Sequence, residues 1–316
     1  MSYAQFGSIQ AADYNTLVGG DPVTSSGKLN TVWATGGTTA GYGQTAEANV
    51  AAGNTVTAAK WANLVTKTAN SATHQGTSIT SVTAPAAGGT IAYLSAIPTN
   101  LTTIYTSRLN AASQGSTTSN TATYGATWST GLTFTHTVTF ASGDAARYFF
   151  NAGGQLKVTT SHPDATAGIN LLLNNLCSNV GTVALSAPTS GTITISSTSY
   201  SGITKVGGGG NAPSPYLTNN GYFALITANA NVFSQTATTG PAGYLGTNIS
   251  VLVKSNGTQG SNGDAGSVIT VYTVWDEVPD GLTAAAVSAT TVTIVPPETT
   301  NLSNSWGTPT VSGTVV

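Results

Sequence analysis

The spacing of apolar side chains changes along the chain from a helical period to a period of two. In the first 76 residues, an aromatic residue is twice followed three and four positions later by Leu-Val. Residues three and four apart share one face of an α-helix. The pattern therefore predicts two helices in this segment, built around Tyr14, Leu17 and Val18 and around Trp61, Leu64 and Val65.

Capping residues give these two helices their expected ends. Gly19 follows the first helix directly and predicts a short element. Thr57 is a suitable N-cap for the second helix, which is expected to run to about Ala72 before Gly76 ends it. We expect residues 1–76 to form a small helical docking segment, in which Tyr14, Leu17, Trp61 and Leu64 serve assembly and docking. The aromatic anchors would be buried either in the segment's own core or in a neighbouring protein.

Residues 77–129 are expected to be a charge-poor connector. Between Thr68 and Ser142 only Arg108 carries a full charge. A helix is predicted from about Thr99, because Pro98 interrupts the preceding apolar run. The sequence "SQGSTTSNTATYG" that follows is of low complexity and is expected to form turns.

From residue 130 onward, alternation predicts a β domain that reaches residue 316. "LTFTHTVTF" alternates apolar residues with threonines, which is typical of a half-buried strand. Further strands are predicted at "QLKVTTS", "TITISSTSY", "YFALITA", "NISVLVKSN", "VITVYTVWDEV" and "TTVTIVPPET". One helix, "PDATAGINLLLNNLCSNV" with Asp164 as its expected cap, interrupts them. The predicted fold is mainly β: an antiparallel sandwich or jelly-roll-like domain with one covering helix.

The stretch "SGDAARYFFNAGGQLKV" concentrates charge in a chain that is otherwise only 6% charged. We interpret it as part of two β-hairpins, with Asp144 in a turn and Arg147 paired with it or with a carbonyl. The tight turn is expected at Asn151, Gly153 and Gly154, where positive φ is tolerated. These five residues are predicted to shape the hairpin and to perform no catalysis, since no second catalytic group lies in the motif.

Composition removes several classes of function. Eight basic residues against ten acidic ones leave no cluster for nucleic acid, and no apolar run is long enough to span a membrane. No secretory signal is visible, and the chain is expected to be soluble and made in a cytoplasm. A single cysteine and three separated histidines, His74, His136 and His162, predict neither a metal nor a cofactor site. His136 is interpreted as a core histidine that has its hydrogen-bond partners.

Two groups of motifs resemble structural proteins of the virions of tailed bacteriophages, many of them from marine and cyanobacterial phages. The β motif is "SGDAARYFFNAGGQLKV", and the N-terminal group comprises "DYNTL" at Asp13–Leu17, "GYGQ" at Gly41–Gln44, "V..G...TA..W..L" from Val50 to Leu64 and "HQG" at His74–Gly76. The resemblance covers about 1–76 and 130–280. It implies a non-catalytic part of the tail, neck or baseplate, made in the host cytoplasm, with other virion proteins and copies of itself as partners.

Two alternatives remain open beside this resemblance. A receptor- or glycan-binding module is possible, because tyrosines such as Tyr200, Tyr216, Tyr222 and Tyr244 are predicted in β loops and could stack on a host surface glycan. An enzyme such as a polysaccharide depolymerase is the third hypothesis. Location in the particle separates the first two classes, because a structural ring lies at the neck or tail and a receptor-binding protein lies at the distal tip.

Overall fold

A computed structural model describes residues 10–86, 95–163, 167–209, 215–238, 244–277 and 287–316 of the chain. The helices are α1 (Ala11–Val18), α2 (Leu29–Trp33), α3 (Ala58–Gln75), α4 (Ala96–Thr106), α5 (Gly143–Asn151) and α6 (Gly168–Val180). The strands are β1 (Thr118–Tyr124), β2 (Gly131–Thr139), β3 (Gln155–Ser161), β4 (Thr182–Leu185), β5 (Ile193–Ile195), β6 (Thr198–Tyr200), β7 (Ile203–Val206), β8 (Tyr216–Leu217), β9 (Ala230–Thr236), β10 (Asn248–Ser255), β11 (Val268–Asp276), β12 (Ser288–Val295) and β13 (Thr310–Val315).

Two antiparallel sheets form a sandwich, which confirms the predicted mainly β class. One sheet has the strand order β1-β12-β3-β4-β7, and the other has the order β13-β2-β11-β10-β9-β8. The edge strands β1 and β13 lie beside each other, so the two sheets meet along one side. Inward side chains of both sheets belong to one hydrophobic cluster, to which Phe134, Trp275 and Val292 contribute.

Helix α6 is the predicted covering helix. It contacts β3 of one sheet and both β9 and β10 of the other. Its apolar side chains Ile169, Leu172, Leu173 and Leu176 are buried. The expected cap, Asp164, lies outside the described residues, and the helix follows Ala167.

The two predicted N-terminal helices are confirmed as α1 and α3. Helix α1 ends at Val18, before Gly19. The Thr57 hydroxyl caps α3 by accepting a hydrogen bond from the Lys60 main chain, and Gly76 ends the helix in the left-handed conformation. The short helix α2 was not predicted. Helix α4 begins at Ala96, earlier than predicted, because Pro98 lies in the first turn, where a helix tolerates proline.

The predicted strand and hairpin around Asp144 and Arg147 are wrong, because this stretch forms helix α5. The Ser142 hydroxyl caps the helix by accepting from the Ala145 main-chain N–H at 3.0 Å. Asp144 in the first turn and the two alanines that follow it favour a helix. Phe149 and Phe150, expected on opposite faces of a strand, are both buried. Their rings lie edge to face with centroids 5.1 Å apart.

Residues 151–154 join α5 to β3 and do not form a hairpin turn. Positive φ is confirmed at Gly153, where φ is 84°. Gly154 is required for a different reason, because a Cβ atom there would lie 2.5 Å from the Phe149 ring. Asn151 is the last residue of α5, so it too is a helix residue and not part of a hairpin.

Three further predictions in the β region need correction. "TITISSTSY" was predicted as one strand, but it forms the two short strands β5 and β6, which pair with each other. "YFALITA" was predicted as a strand, but Tyr222–Ala224 is a short 3-10 helix. Thr118–Tyr124, assigned to the connector, is strand β1, paired along its whole length with β12. Strands β4, β7, β8, β9 and β13 were not predicted. Most of these are short or lie at an edge, where alternation has little length in which to appear.

Candidate functional site

The polar side chains of α5 meet the N-terminal segment at a buried junction. The Arg147 side chain is 0% exposed. Its Nη1 donates to the main-chain oxygens of Thr35 and Ala40, each at 2.9 Å. Its Nε and Nη2 donate to Asp144 Oδ1 at 3.0 and 2.9 Å. All three nitrogens of the guanidinium group are therefore used within the chain.

Asp144 and Asn151 connect α5 to two other loops. The Asp144 carboxylate accepts from the Gly263 main-chain N–H at 3.2 Å, which ties α5 to the loop between β10 and β11. Asn151 Nδ2 donates to the Gly41 carbonyl at 3.0 Å. Asn151 and Arg147 together hold the loop at 35–41 by its main chain. Their role is to join segments of the fold, and the predicted role in shaping a hairpin is replaced by this one.

The "GYGQ" residues fill the same junction from the N-terminal side. The Tyr42 hydroxyl donates to the Arg108 carbonyl at 2.7 Å and accepts from Gln75 Nε2 at 2.8 Å. Gln44 Nε2 donates to the Ser303 carbonyl at 2.8 Å. A Cβ atom at Gly43 would lie 2.3 Å from the Tyr148 ring, so only glycine fits there.

His74 and Glu298 form a buried hydrogen-bonded pair beside this junction. His74 Nδ1 lies 3.1 Å from Glu298 Oε1, and Nε2 lies 3.1 Å from the Ala152 carbonyl. The Ala152 carbonyl can only accept, so Nε2 donates to it. Hydrogen bonds from His74 and from Asn301 and Thr300 lower the pKa of Glu298 to about 2, against the opposing effect of burial.

The predicted docking residues Tyr14, Leu17, Trp61 and Leu64 are buried in the chain's own core, at 0, 6, 1 and 0% exposure. The Tyr14 hydroxyl donates to Glu47 Oε1 at 3.0 Å, and the Tyr14 and Trp61 ring centroids are 6.3 Å apart. Of the two predicted environments, the chain's own core or a neighbouring protein, the structure shows the first. All four are core side chains of this fold, and their role in docking stays a prediction.

Sequence reasoning missed a hydrogen-bond relay that joins α6 to the five-stranded sheet. Trp128 Nε1 donates to Ser288 Oγ at 3.2 Å, and Ser288 Oγ lies 3.2 Å from His162 Nδ1. The Trp128 indole can only donate, so Ser288 Oγ accepts from it. The Ser288 hydroxyl hydrogen is therefore free to be donated to His162 Nδ1. His162 Nε2 then donates to Asn170 Oδ1 at 3.2 Å. Ser288 is fully buried, and only its approach to His162 in the folded chain reveals the relay.

The remaining histidine, His136, is buried on the inner face of β2 as predicted, at 0% exposure. Neither ring nitrogen has a hydrogen bond of ordinary geometry among the described residues, although the Asn120 main chain lies close enough to oppose the effect of burial on the pKa of His136. Burial lowers the pKa of both His136 and His162. The Cys177 thiol is also buried, as predicted, and burial raises its pKa to about 12.

The tyrosines proposed to stack on a glycan are mostly inaccessible. Tyr200, Tyr222 and Tyr244 are buried, at 4, 0 and 9% exposure. Tyr222 instead stacks on Phe150, with ring centroids 4.2 Å apart. Only Tyr216 of the four is exposed, at 54%.

Two further stretches of the sequence have simple structural interpretations: "VGGGGNAP" predicts a flexible hairpin tip, and "WDEVPDG" predicts a strand end with solvated charge. The glycine-rich stretch 206–213 lies partly outside the described residues, as does "WDEVPDG" after residue 277. Within the described part, Asp276 is exposed as expected, whereas Glu277 is 1% exposed and therefore not a solvated charge.

A groove of about 260 Å³ lies against α3 and α4. The extended segment 77–82 forms one wall, held by Asn100, whose amide donates to the Thr80 carbonyl and accepts from its N–H. Its lining is apolar and hydroxyl-bearing, without a charged side chain. In the described part of the chain, no three His, Cys, Asp or Glu side chains are grouped so as to hold a metal ion.

Comparison with known proteins finds no matching family model, curated protein or solved structure. None of the helices in the described ranges is both long and apolar enough to cross a membrane.

Proposed function

We propose that the chain is a structural component of a tailed-phage virion, in its tail, neck or baseplate, and that it acts through assembly contacts without catalysis. One observation carries this proposal: the two groups of motifs behind the resemblance, far apart in sequence, meet in the fold. His74 of "HQG" lies 3.1 Å from the Ala152 carbonyl, and Asn151 donates to Gly41 of "GYGQ". The two groups therefore belong to one structural device.

The hydrogen bonds at that junction favour a structural role over a catalytic one. Arg147, Asn151 and Gln44 each donate a hydrogen bond to a main-chain carbonyl. The same holds within the N-terminal group, where Asn15 binds the main chain of Val50 through both its amide nitrogen and its amide oxygen. Side chains used in this way hold loops in place. Such a scaffold suits a protein that is fixed in a larger assembly.

The exposed sheet surface supports the same conclusion. Its outward positions are mostly threonine and serine, as in β1 and β12, where Thr121 and Thr291 hydroxyls bond each other at 2.7 Å. Isolated soluble proteins usually rely on surface charge, which is scarce in this chain at 6%. We propose other virion proteins and further copies of the chain as its partners.

The receptor- or glycan-binding alternative loses most of its support with the burial of Tyr200, Tyr222 and Tyr244. Tyr216 alone, next to the exposed Leu217 on the edge strand β8, does not provide a platform for a sugar chain.

Analysis of purified particles tests the proposal. Mass spectrometry of gradient-purified virions should detect the chain at a fixed ratio to the capsid protein, and cryo-EM should place it in a ring at the neck, tail or baseplate. Density only at the distal tip would instead favour the receptor-binding class, and absence from the particles would contradict both.

A second measurement tests the absence of catalysis. The purified chain is incubated with host envelope polysaccharide and with peptidoglycan, and released fragments are measured. We expect none above a heat-denatured control. Reproducible cleavage would contradict the non-catalytic part of the proposal.

A further inference from the structure

The outward face of the six-stranded sheet is an ordered surface with little charge. Burial alternates along β2, β10 and β11, so that even-numbered residues of β10 and β11 and odd-numbered residues of β2 point away from the core. We call the outward residues of this sheet the outer sheet face. They are Thr133, Thr135, Thr137, Thr139, Tyr216, Ser234, Thr236, Asn248, Ser250, Leu252, Lys254, Val268, Thr270, Tyr272, Val274, Asp276, Thr310, Ser312 and Thr314.

The centre of this face is apolar and its margin is mostly polar, with Tyr216 and Val268 as the exceptions. Leu252 pairs with Tyr272, and Val274 is the next outward residue along β11. All three side chains are half-buried. Threonines of β2 and hydroxyls of β13 flank them on one side, since Thr135 pairs with both Tyr272 and Thr314. An apolar centre with a polar rim is the usual anatomy of a protein interface.

The hydroxyl groups of the face can be buried at small cost because some are already hydrogen-bonded to one another. Ser234 and Ser250 Oγ are 2.5 Å apart, and Ser250 Oγ donates to Asn248 Oδ1 at 3.0 Å. A buried polar group is costly only when it loses its hydrogen bonds. Removing this part of the face from water therefore leaves these hydroxyls satisfied.

Two opposite charges stand at opposite ends of the face. Lys254 on β10 pairs with Thr270, whereas Asp276 on β11 pairs with Asn248. The two side chains are thus six residues apart along the strands, about 20 Å at 3.4 Å per residue. Lys254 Nζ lies 5.4 Å from the centroid of the Tyr272 ring. At this separation the ammonium and the carboxylate do not pair within one chain.

This arrangement is self-complementary. Consider a two-fold axis that lies in the plane of the face, perpendicular to the strands, at the level of Val251. Rotation about this axis exchanges the Lys254 end of the face with the Asp276 end. Each copy's Lys254 then lies over the end of the partner that carries Asp276, and the apolar centres meet. Contacts of this reciprocal kind define a two-fold interface between identical chains.

The size of the face is sufficient for such an interface. Five strands about 4.8 Å apart and about 27 Å long give on the order of 650 Å² per copy. Two copies would bury on the order of 1,300 Å², within the range of specific protein–protein interfaces.

We propose that the outer sheet face is the surface through which a second copy of the chain binds, about a two-fold axis between the Lys254 and Asp276 ends. This proposal rests on the assembly role above and names the face that carries it. The full-length chain should then be a dimer in sedimentation-velocity measurements at about 100 µM, since interfaces of this size bind with micromolar or lower dissociation constants.

Leu252→Glu tests the face directly, because it places a carboxylate in the apolar centre. We expect the dimer dissociation constant to rise at least about 100-fold, with an unchanged circular dichroism spectrum. Thr291→Glu is the matched control, since it adds the same charge to an outward position of the other sheet. Its dissociation constant should change by less than about 3-fold, as for an ordinary surface substitution. Equal loss in both variants, or in neither, overturns the proposal.

Charge reversal tests the two-fold arrangement without relying on Leu252. Each single variant, Lys254→Asp or Asp276→Lys, brings two like charges together at both symmetry-related contacts of the dimer and should weaken it. The double variant should restore the dimer. Failure of that rescue overturns the arrangement. A wild-type chain that stays monomeric at about 100 µM overturns the face itself. The proposed function is judged separately, by the presence of the chain in particles.

Discussion

At the scale of single residues, the charged side chains of this protein are mostly structural. Arg147 has 0% exposure and binds two carbonyl groups that lie 112 and 107 positions earlier in the sequence. The sequence identified Arg147 as unusual and named a nearby carboxylate or a carbonyl as its partner. It could not name Thr35 or Ala40, because a contact over more than a hundred residues is decided by the fold and leaves no local pattern.

Replacing Arg147 should therefore be costly. Arg147→Ala leaves the Thr35 and Ala40 carbonyls without donors in a buried site, and we expect the free energy of unfolding to fall by about 3–5 kcal/mol. Arg108→Ala is the matched control, because Arg108 also donates to a carbonyl, that of Thr39, but is only half-buried. Its cost should be clearly smaller. Urea unfolding followed by circular dichroism measures both, and equal costs would contradict the importance of burial.

The buried histidines should make stability depend on pH. Burial lowers the pKa of His136 and His162 in the folded state. Below a pH of about 6.5 the unfolded chain binds protons that the folded chain does not, so the unfolding free energy falls as the pH falls. The expected slope is up to about 1.4 kcal/mol per pH unit for each histidine.

Urea unfolding at pH values between about 7.5 and 5 tests this pH dependence. Glu298 does not contribute in that range, because its folded-state pKa near 2 means that its contribution to stability is lost at lower pH. His136→Met is the informative variant. It keeps the site filled with an apolar side chain and removes the titrating group, so the slope should drop by about half. A slope that does not change would show that His136 is not responsible.

At the scale of secondary-structure elements, predictions succeeded where a pattern was long and had clear ends. Strand β3 was predicted to the residue from its alternation. Helix α3 was predicted from its cap and its apolar face, and it runs three residues beyond the expected Ala72. Helix α5 was missed because its paired phenylalanines suggested a strand. The spacing from Ala145 to Phe149 and from Ala146 to Phe150, together with the Ser142 cap, was the available helical signal.

The connection after α5 offers a test that separates backbone strain from steric contact. Gly153 and Gly53 both have a φ of 84°. A Cβ atom at Gly153 would lie 2.5 Å from Ala111 Cβ, whereas one at Gly53 would have no atom of the described residues within 4 Å. Gly53→Ala should cost about 1–2 kcal/mol for the left-handed conformation alone. Gly153→Ala should cost about 1–3 kcal/mol more because of the steric contact. Thermal unfolding of both variants gives the difference, and similar melting temperatures would mean that the chain relaxes around residue 153.

At the scale of the whole molecule, the sequence predicted the class of fold better than its organisation. The change of period near residue 130 correctly located the start of β2, and suggested a docking segment, a connector and a separate β domain. That division stays a prediction as a statement about domains. The contacts across it are extensive, since β1 completes the sheet from the connector side and one hydrophobic cluster extends from Tyr14 to Trp306.

These contacts lead us to expect that residues 130–316 do not fold alone. Without β1, strand β12 loses its partner along a whole edge, and without residues 35–41 the Arg147 guanidinium loses both carbonyl acceptors. His74 would also be missing, which would leave the buried Glu298 carboxylate without its hydrogen bond to that side chain. The fragment should show no cooperative thermal transition, and adding residues 1–129 as a separate chain should restore one. A fragment that unfolds cooperatively by itself, near the melting temperature of the full chain, would instead establish 130–316 as an independent domain.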